Sequence, residues 1–405
     1  MNKKFILVLN CGSSSLKFSL VNTLNLEEQI FGFSDYLFST NPMFTWTTKD
    51  SVKVKKKLNK NSGYKESLLF LINNILSDKE IKKIFAIGHR VVHGGEKVKK
   101  SVIINKEIIE IIKDSVQFAP LHNPASLASI AESLRLFPNL SERNVAVFDT
   151  AFHQTMPKES YLYAIPMNLY EKYKIRRYGA HGISHYYIVK KISEYLKKPI
   201  EKINIISCHL GNGGSITAIV NGKSIDTSMG LTPLEGIVMG TRSGDIDPSI
   251  IFYLYKTLGF NIEKIFRLLN SKSGILGLTK KSSDFRFLEK NFNYLNEAKI
   301  AMKIYCHRLA KYIASYFSLM NDHVDSIVFT GGIGENSCLM REITLKKLSL
   351  LNVYYNNERN FEIHSGRSGK ITDDIGIPVF VIPSKESIII AEETYRTVKS
   401  LDSNF

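Results

Sequence analysis

The sequence predicts an α/β protein of two domains built on a duplicated unit. Segments with strand and helix periodicity alternate through much of the chain, the pattern of layered α/β folds. A chain of 405 residues exceeds what one ordinary core organises, so two domains are expected. The third observation is an internal likeness between Ile6–Leu20 (ILVLNCGSSSLKFSL) and Ile205–Ile219 (IISCHLGNGGSITAI). Each runs from an apolar strand through a polar residue (Asn10, His209) to a glycine (Gly12, Gly211), then small or polar residues, then alternating apolar positions. Chance produces such likeness at low identity; a duplicated α/β unit, with a ligand held between the halves, is the sharper reading.

Taken in order, Phe5–Leu9 and Leu16–Val21 read as strands around a Gly/Ser turn. The opening MNKKFILVLN resembles the start of a signal peptide, but its apolar run is too short, so it reads as a buried strand. Residues 41–64 are polar, rich in Lys and Asn and poorly periodic, which predicts a loop or mobile insertion. Lys65–Leu76 has helical spacing, Ile84–Val92 reads as a strand, and Pro124–Phe137 as a helix with Pro124 in its first turn. Val145–Asp149 reads as a short buried strand. The Pro- and Tyr-rich stretch Pro157 to Tyr178 suggests a crossing between domains, and the tail from Lys399 is expected to fray.

Composition excludes several classes. With 44% hydrophobic, 11% aromatic and 23% charged residues, the chain reads as globular rather than disordered. No stretch approaches the ~20 apolar residues of a membrane span. The net charge of +16 is compatible with nucleic acid, a membrane surface or an anionic substrate. The lysines are scattered, however, with one dense run at Lys53–Lys60, and solvated faces explain them as well. No helix–turn–helix, zinc-finger or RNA-recognition signature is present, so no nucleic-acid partner is expected. Cys11, Cys208, Cys306 and Cys338 form no C-x-x-C pair, which points to a reducing cytoplasm.

Five motifs carry chemistry. Asn10-Cys11-Gly12-Ser13-Ser14-Ser15-Leu16-Lys17 offers a turn of backbone donors and hydroxyls suited to phosphate, with Lys17 as a mobile cation; an ordinary hairpin turn uses the same residues. His209-Leu210-Gly211-Asn212-Gly213-Gly214-Ser215 places glycines at 211, 213 and 214, where a backbone could approach a polyphosphate closely. Thr330-Gly331-Gly332-Ile333-Gly334-Glu335-Asn336 follows an apolar strand and opens a helix, a common nucleotide site and equally a plain connection. His89-Arg90-Val91-Val92-His93-Gly94-Gly95 ends a strand with an arginine fit to grip an anion. Its histidine pair, like His181 and His185, lacks the H-E-x-x-H context of zinc. Finally, Gly240 to Pro248 sets Arg242 among small residues, which also describes a surface turn. Neither G-x-G-x-x-G nor the P-loop pattern occurs, so a nucleotide would be held by another architecture. Glycine-rich cradles, two arginines and Asp, Glu and Asn able to hold a cation make up the inventory of phosphoryl transfer.

The first and fourth motifs resemble the two signature segments of the acetate kinase family. Phe148–His153, His181-Gly182, His209–Ser215, Gly240–Pro248, Asp284–Arg286 and Gly331–Asn336 resemble it too, in order, from Asn10 to about Glu386. That resemblance implies two ribonuclease-H-like domains of the actin-like ATPase fold with a cleft between them. The N-terminal domain would be residues 1–150, completed by a helix at 385–400; residues 151–384 would form the nucleotide-binding and dimerisation domain. It implies reversible, direct in-line transfer of the ATP γ-phosphoryl group to acetate, giving acetyl phosphate and ADP, in a cytoplasmic homodimer using magnesium or manganese.

The same resemblance implies roles. Asn10 and Glu386 would help hold the metal. Lys17, His209, Leu210, Gly211, Asn212 and Gly213 would contact ATP phosphates, and Asp284, Phe285, Arg286, Gly331, Gly332, Ile333, Gly334 and Glu335 the nucleotide. Arg90 would bind the acceptor carboxylate, with Val92, Leu121, His122, Ala180 and Pro233 around it. Asp149, His181 and Arg242 would be catalytic, Asp149 orienting cations rather than deprotonating an acid that arrives ionised. Two positions depart from the family pattern. Ala180 stands where an aromatic residue is usual, which predicts either a roomier acyl pocket or a neighbour filling the space. Lys385 replaces the usual Asn. The alternatives are a propionate or butyrate kinase, separated by acid preference, and an actin- or chaperone-like ATPase, separated by acid-independent ADP release.

Overall fold

Buried apolar runs become central strands, and charged runs become edges. A computed structural model describes residues 4–48, 53–320 and 323–402. Two compact units result, one of Met1–Phe152 with Lys385–Phe405, the other of His153–Ser384.

The first unit holds a sheet of β1 (Phe5–Gly12), β2 (Ser15–Asn22), β3 (Glu28–Asp35), β4 (Met43–Thr48), β5 (Val54–Lys57), β6 (Ile84–Val91), β7 (Val102–Ile103) and β8 (Asn144–Phe148), in the order β5-β4-β3-β2-β1-β6-β8-β7. Strand β1 is antiparallel to β2 and parallel to β6, which is parallel to β8. Phe5 to Leu9 are buried on both faces, as a central strand covered by helices requires. Phe5, Leu7, Leu9 and Cys11 pack with Leu68 and Leu71 of the helix Tyr64–Asn74 and Ala125 of the helix Asn123–Leu136. The helix Glu386–Asp402 covers β1, β6 and β8. It lies so close to β6 that a Cβ on Gly88 would fall 2.3 Å from Thr394 Oγ1.

The second unit holds β9 (Ile205–Leu210), β10 (Gly214–Val220), β11 (Lys223–Thr227), β12 (Ser326–Thr330), β13 (Gly369–Lys370) and β14 (Val379–Val381), ordered β11-β10-β9-β12-β14-β13. Strand β9 is antiparallel to β10 and parallel to β12, which is parallel to β14. Both sheets therefore share one plan: a three-strand antiparallel meander (β1-β2-β3, β9-β10-β11) whose first strand is followed across the sheet by two parallel strands (β6 and β8, β12 and β14). The duplication read from the two Gly/Ser hairpins is thus present in the topology.

One face of β9 and β10 is apolar. Ile206, Cys208, Leu210, Ile216 and Ala218 pack on Met302, Leu309 and Ile313 of the long helix Asn296–Phe317. Replacing the fully buried Leu309 with Ala would cost about 2–5 kcal/mol. The opposite face carries Ser207, His209, Ser215 and Thr217, and meets the helix Gly182–Leu196.

The structure corrects three expectations. The stretch around 41–64 is not a loop: it supplies β4, β5 and the start of the helix Tyr64–Asn74, while residues 49–52 lie outside the described residues. Strand β5 is fully exposed and Lys-rich because it is the edge of the sheet, where charge blocks further pairing. Pro157 to Tyr178 lies within the second unit, with helices Lys158–Tyr161 and Met167–Tyr173, rather than crossing between units. The tail from Lys399 continues the last helix to Asp402, held by Arg143 Nη2 to Asp402 at 2.9 Å; residues 403–405 lie outside the described residues.

Candidate active site

In the first unit, chemistry gathers where β1, β6 and β8 end. The turn at Ser13-Ser14 closes the hairpin with Gly12 opposite Ser15 and Asn10 opposite Lys17, so Lys17 stands exposed beside Asn10. Arg90, near the end of β6, donates from Nη2 and Nε to Asp149 Oδ2 at 2.6 and 3.1 Å, and from Nη1 to Asn10 Oδ1 at 3.2 Å. Glu386, the first residue of the last helix, lies 4.0 Å from Arg90 Nε. Burial opposes the charge on Arg90, but Asp149 and Glu386 outweigh it and raise the guanidinium pKa. Asp149 is itself anchored by its backbone N–H on Val91 O at 2.9 Å. Four residues far apart in sequence thus form one cation–carboxylate cluster.

Of the residues expected around the acceptor, Val92 is buried, Leu121 is exposed and His122 is half-buried just before the helix Asn123–Leu136. His89 and His93 are structural. His89 Nε2 meets Asn144 Oδ1 at 2.8 Å, and burial pulls its pKa down to about 4. Burial takes His93 to about 3.

In the second unit, the tight turn after β9 brings Gly213 against the side chains of Arg242 and His181. A Cβ there would lie 3.3 Å from Arg242 Nη1 and 3.9 Å from His181 Nε2. Arg242 also donates to Pro233 O at 3.2 Å, and burial lowers its pKa. His181 precedes the helix Gly182–Leu196 with φ of 58°, a left-handed conformation that costs a non-glycine residue of order 1–3 kcal/mol. It is held there by Ser215 Oγ at 3.0 Å from Nδ1 and by stacking on His209, ring centroids 4.3 Å apart. The backbone N–H of Gly240 donates to Asn212 O at 2.8 Å, tying the His209–Gly213 turn to the Arg242 loop.

The Gly331–Asn336 helix opens directly after β12. Gly331 has φ of 77°, and a Cβ there would sit 2.7 Å from Leu210 O, so the segment presses on the end of β9. Glu335 accepts from Ser384 N at 2.9 Å; burial raises its pKa. Gly332 is exposed, Ile333 half-buried and Gly334 buried. Of Asp284–Arg286, Phe285 is core, Asp284 caps the helix Phe285–Asn291, and exposed Arg286 pairs with Asp284 at 2.6 Å. Ala180 is buried in a small cluster with Met229 and Met239.

The sequence motifs assign no bracing role to the groups that hold these residues. His185, Ser184, Ser207 and Ser215 link the helix Gly182–Leu196 to β9 and β10. The available signal was polar residues at alternate positions of strands otherwise wholly apolar. Arg177 was missed as well; it pairs with Glu235 at 2.6 Å and donates to Thr227 O at 2.7 Å, framing the loop that carries Pro233.

The sequence profile of the acetokinase family matches residues 5–392. The chain belongs to the acetokinase family. It is 54% identical over 398 residues to an acetate kinase of Photorhabdus laumondii, spanning 98% of this chain and 99% of that relative. A solved propionate kinase of Francisella tularensis superposes with a TM-score of 0.91 at 43% identity, covering 97% of this chain and 99% of that one. The acetate kinase of Porphyromonas gingivalis gives 0.89 at 37% identity, covering 98% and 100%. These likenesses agree with the expected two-domain actin-like ATPase fold. Acetokinase family membership makes the chain an ATP-dependent enzyme.

Proposed function

We propose that the chain transfers the γ-phosphoryl group of ATP reversibly to the carboxylate of acetate, by direct in-line displacement, giving acetyl phosphate and ADP. The observation that carries this reading is the convergence of Arg242 Nη1 and His181 Nε2 on Gly213. Two donors meet at a residue with no side chain, which leaves room for a phosphoryl group with charge spread over its oxygens. Full-length kinship to the Photorhabdus laumondii acetate kinase supports acetate as acceptor.

The residues then divide the work. Acetate arrives ionised, so no base is needed; the difficulty is repulsion between two anions. Arg90 is the group that binds the carboxylate, and Asp149 holds its guanidinium in place while Asn10 fixes the other arm. Arg242 and His181 offset charge on the transferring group. The His209–Gly213 turn, Lys17 and Gly331–Glu335 hold the nucleotide, with Asp284–Arg286 at its margin.

Magnesium fits the donor set. Asn10 and Glu386 offer oxygen ligands of the kind this ion prefers, and no group of three His, Cys, Asp or Glu among the described residues forms a closed metal cage. That pattern suits a cation held mainly by phosphates and water, with one or two protein oxygens. When bound, the cation supplies charge neutralisation at the phosphates.

The helices Ser249–Lys256 and Ile262–Ser271 and the turn between them expose Ile250, Phe252, Tyr253, Leu258, Ile262 and Phe266, apolar surface that supports a homodimer. Free thiols at all four cysteines support a reducing cytoplasm. No described helix is long and apolar enough to cross a membrane. Single-turnover transfer from ATP to acetate by Arg242→Ala tests the reading; near-normal turnover would refute it.

A further inference from the structure

His181, the residue just before the helix Gly182–Leu196, and Ser184 and His185 in its first turn all reach the same sheet face. They meet the polar face of β9 and β10, where His209 stands opposite Ser215 and Ser207 opposite Thr217. A continuous chain results. Ser207 Oγ lies 2.9 Å from His185 Nδ1, His185 Nε2 lies 2.8 Å from Ser215 Oγ, and Ser215 Oγ lies 3.0 Å from His181 Nδ1.

The direction of this chain follows from its closed end. Ser207, His185 and Ser215 are fully buried. Among the described residues the Ser207 hydroxyl has one hydrogen-bond partner, His185 Nδ1. Its single proton therefore goes to that nitrogen, since a buried donor left unused is destabilising. A neutral imidazole accepting at Nδ1 carries its hydrogen on Nε2, so His185 donates to Ser215. Burial, reinforced by His153 and His209, drives the His185 pKa far below its ordinary value and keeps the ring neutral. Ser215, already accepting, donates its own proton to His181 Nδ1. His181 is left with its hydrogen on Nε2, the atom beside Gly213 and Arg242.

We infer that Ser207, His185 and Ser215 are positioning residues that lock His181 in the tautomer bearing hydrogen on Nε2, making that atom an obligatory donor toward the phosphoryl group. The inference rests on the proposed role of His181 in transfer. It adds that this role is set from the buried end of the chain, by residues that never touch substrate.

Long-range 1H–15N correlation spectra of the full-length protein labelled at histidine test it directly, with the His181→Gln spectrum assigning the resonance. His181 and His185 are both expected to carry hydrogen on Nε2 alone. Hydrogen on Nδ1 of either ring overturns the assignment, whatever the enzyme does. Ser215→Ala should let His181 populate both tautomers and lower kcat about tenfold, with KM for ATP and acetate held within about twofold. Ser215→Thr, which keeps the hydroxyl, should restore the spectrum and the rate. An unchanged His181 spectrum in Ser215→Ala overturns the lock. A shifted spectrum with unchanged kcat instead overturns the role of His181 in transfer, so the two failures are distinct.

Discussion

Arg90 places two of its donors on a single oxygen of Asp149, Nη2 at 2.6 Å and Nε at 3.1 Å, and so turns its remaining edge toward Asn10. The carboxylate is fully buried, whereas the arginine side chain retains 18% exposure. Asp149 is thereby committed to holding a cation, and the cation is the group left facing outward.

Asp149→Asn should separate these functions. The amide keeps the shape but not the charge, leaving Arg90 partly buried without its main counter-ion. Breaking such a pair costs about 3–5 kcal/mol. Urea denaturation should show a loss of that order, and KM for acetate should rise alongside a fall in kcat. Unchanged stability would contradict the pairing.

Arg242→Ala should lower kcat by about 10²–10³, the usual effect of removing one donor from a developing charge. Arg242 sits in a loop and its guanidinium bonds the Pro233 backbone oxygen, so the thermal midpoint should move by no more than a few degrees. Gly213→Ala is the milder version. Its Cβ would press on Arg242 Nη1 at 3.3 Å, displacing the guanidinium by tenths of an ångström, and kcat should fall while folding is preserved.

Ala180→Phe tests whether the acyl site is roomier than usual. Ala180 packs with buried Met229 and Met239, so the space behind it is filled. Overpacking should cost about 1–3 kcal/mol. The wild-type enzyme should prefer acetate to propionate, with each added methylene worth about 1–3 kcal/mol of discrimination. Preference for propionate would show that Ala180 leaves usable room.

Acid should weaken the fold before most carboxylates are protonated. Burial depresses the pKa values of His89 and His153 to about 4 and of His93 to about 3. The unfolded chain takes up these protons near pH ~6.5, so it binds more than the folded chain below that point. Stability contributed by the neutral rings is therefore full above about pH 6.5 and is lost as pH falls toward 4 and below. Urea midpoints should decline between pH 7 and pH 5; a flat profile would contradict the burial of these rings.

Parts of this architecture are legible in the residues. The Gly/Ser turns at Ser13-Ser14 and after Leu210 mark hairpins because a tight reversal between apolar runs has few other solutions. Pro124 marks a helix start for a similar local reason. Strand β5 is not legible: at an edge, pairing yields backbone hydrogen bonds without burial, so VKKK carries no apolar period. The Arg90–Asp149–Glu386 cluster is equally silent to periodicity, since it joins the ends of β6, β8 and the last helix. Ser207 and Ser215 show only as polar interruptions in apolar strands, and their meaning depends on which helix faces them. For Asp284, resemblance points to nucleotide, while the structure shows a helix cap paired with Arg286.

Transfer to acetate is tested most directly by ATP turnover of the purified chain with magnesium, trapping acyl phosphate with hydroxylamine across acetate, propionate and butyrate. ADP release should depend on the acid, and hydroxamate should form fastest with acetate. Steady ATP hydrolysis that ignores the acid and yields no hydroxamate would contradict that transfer.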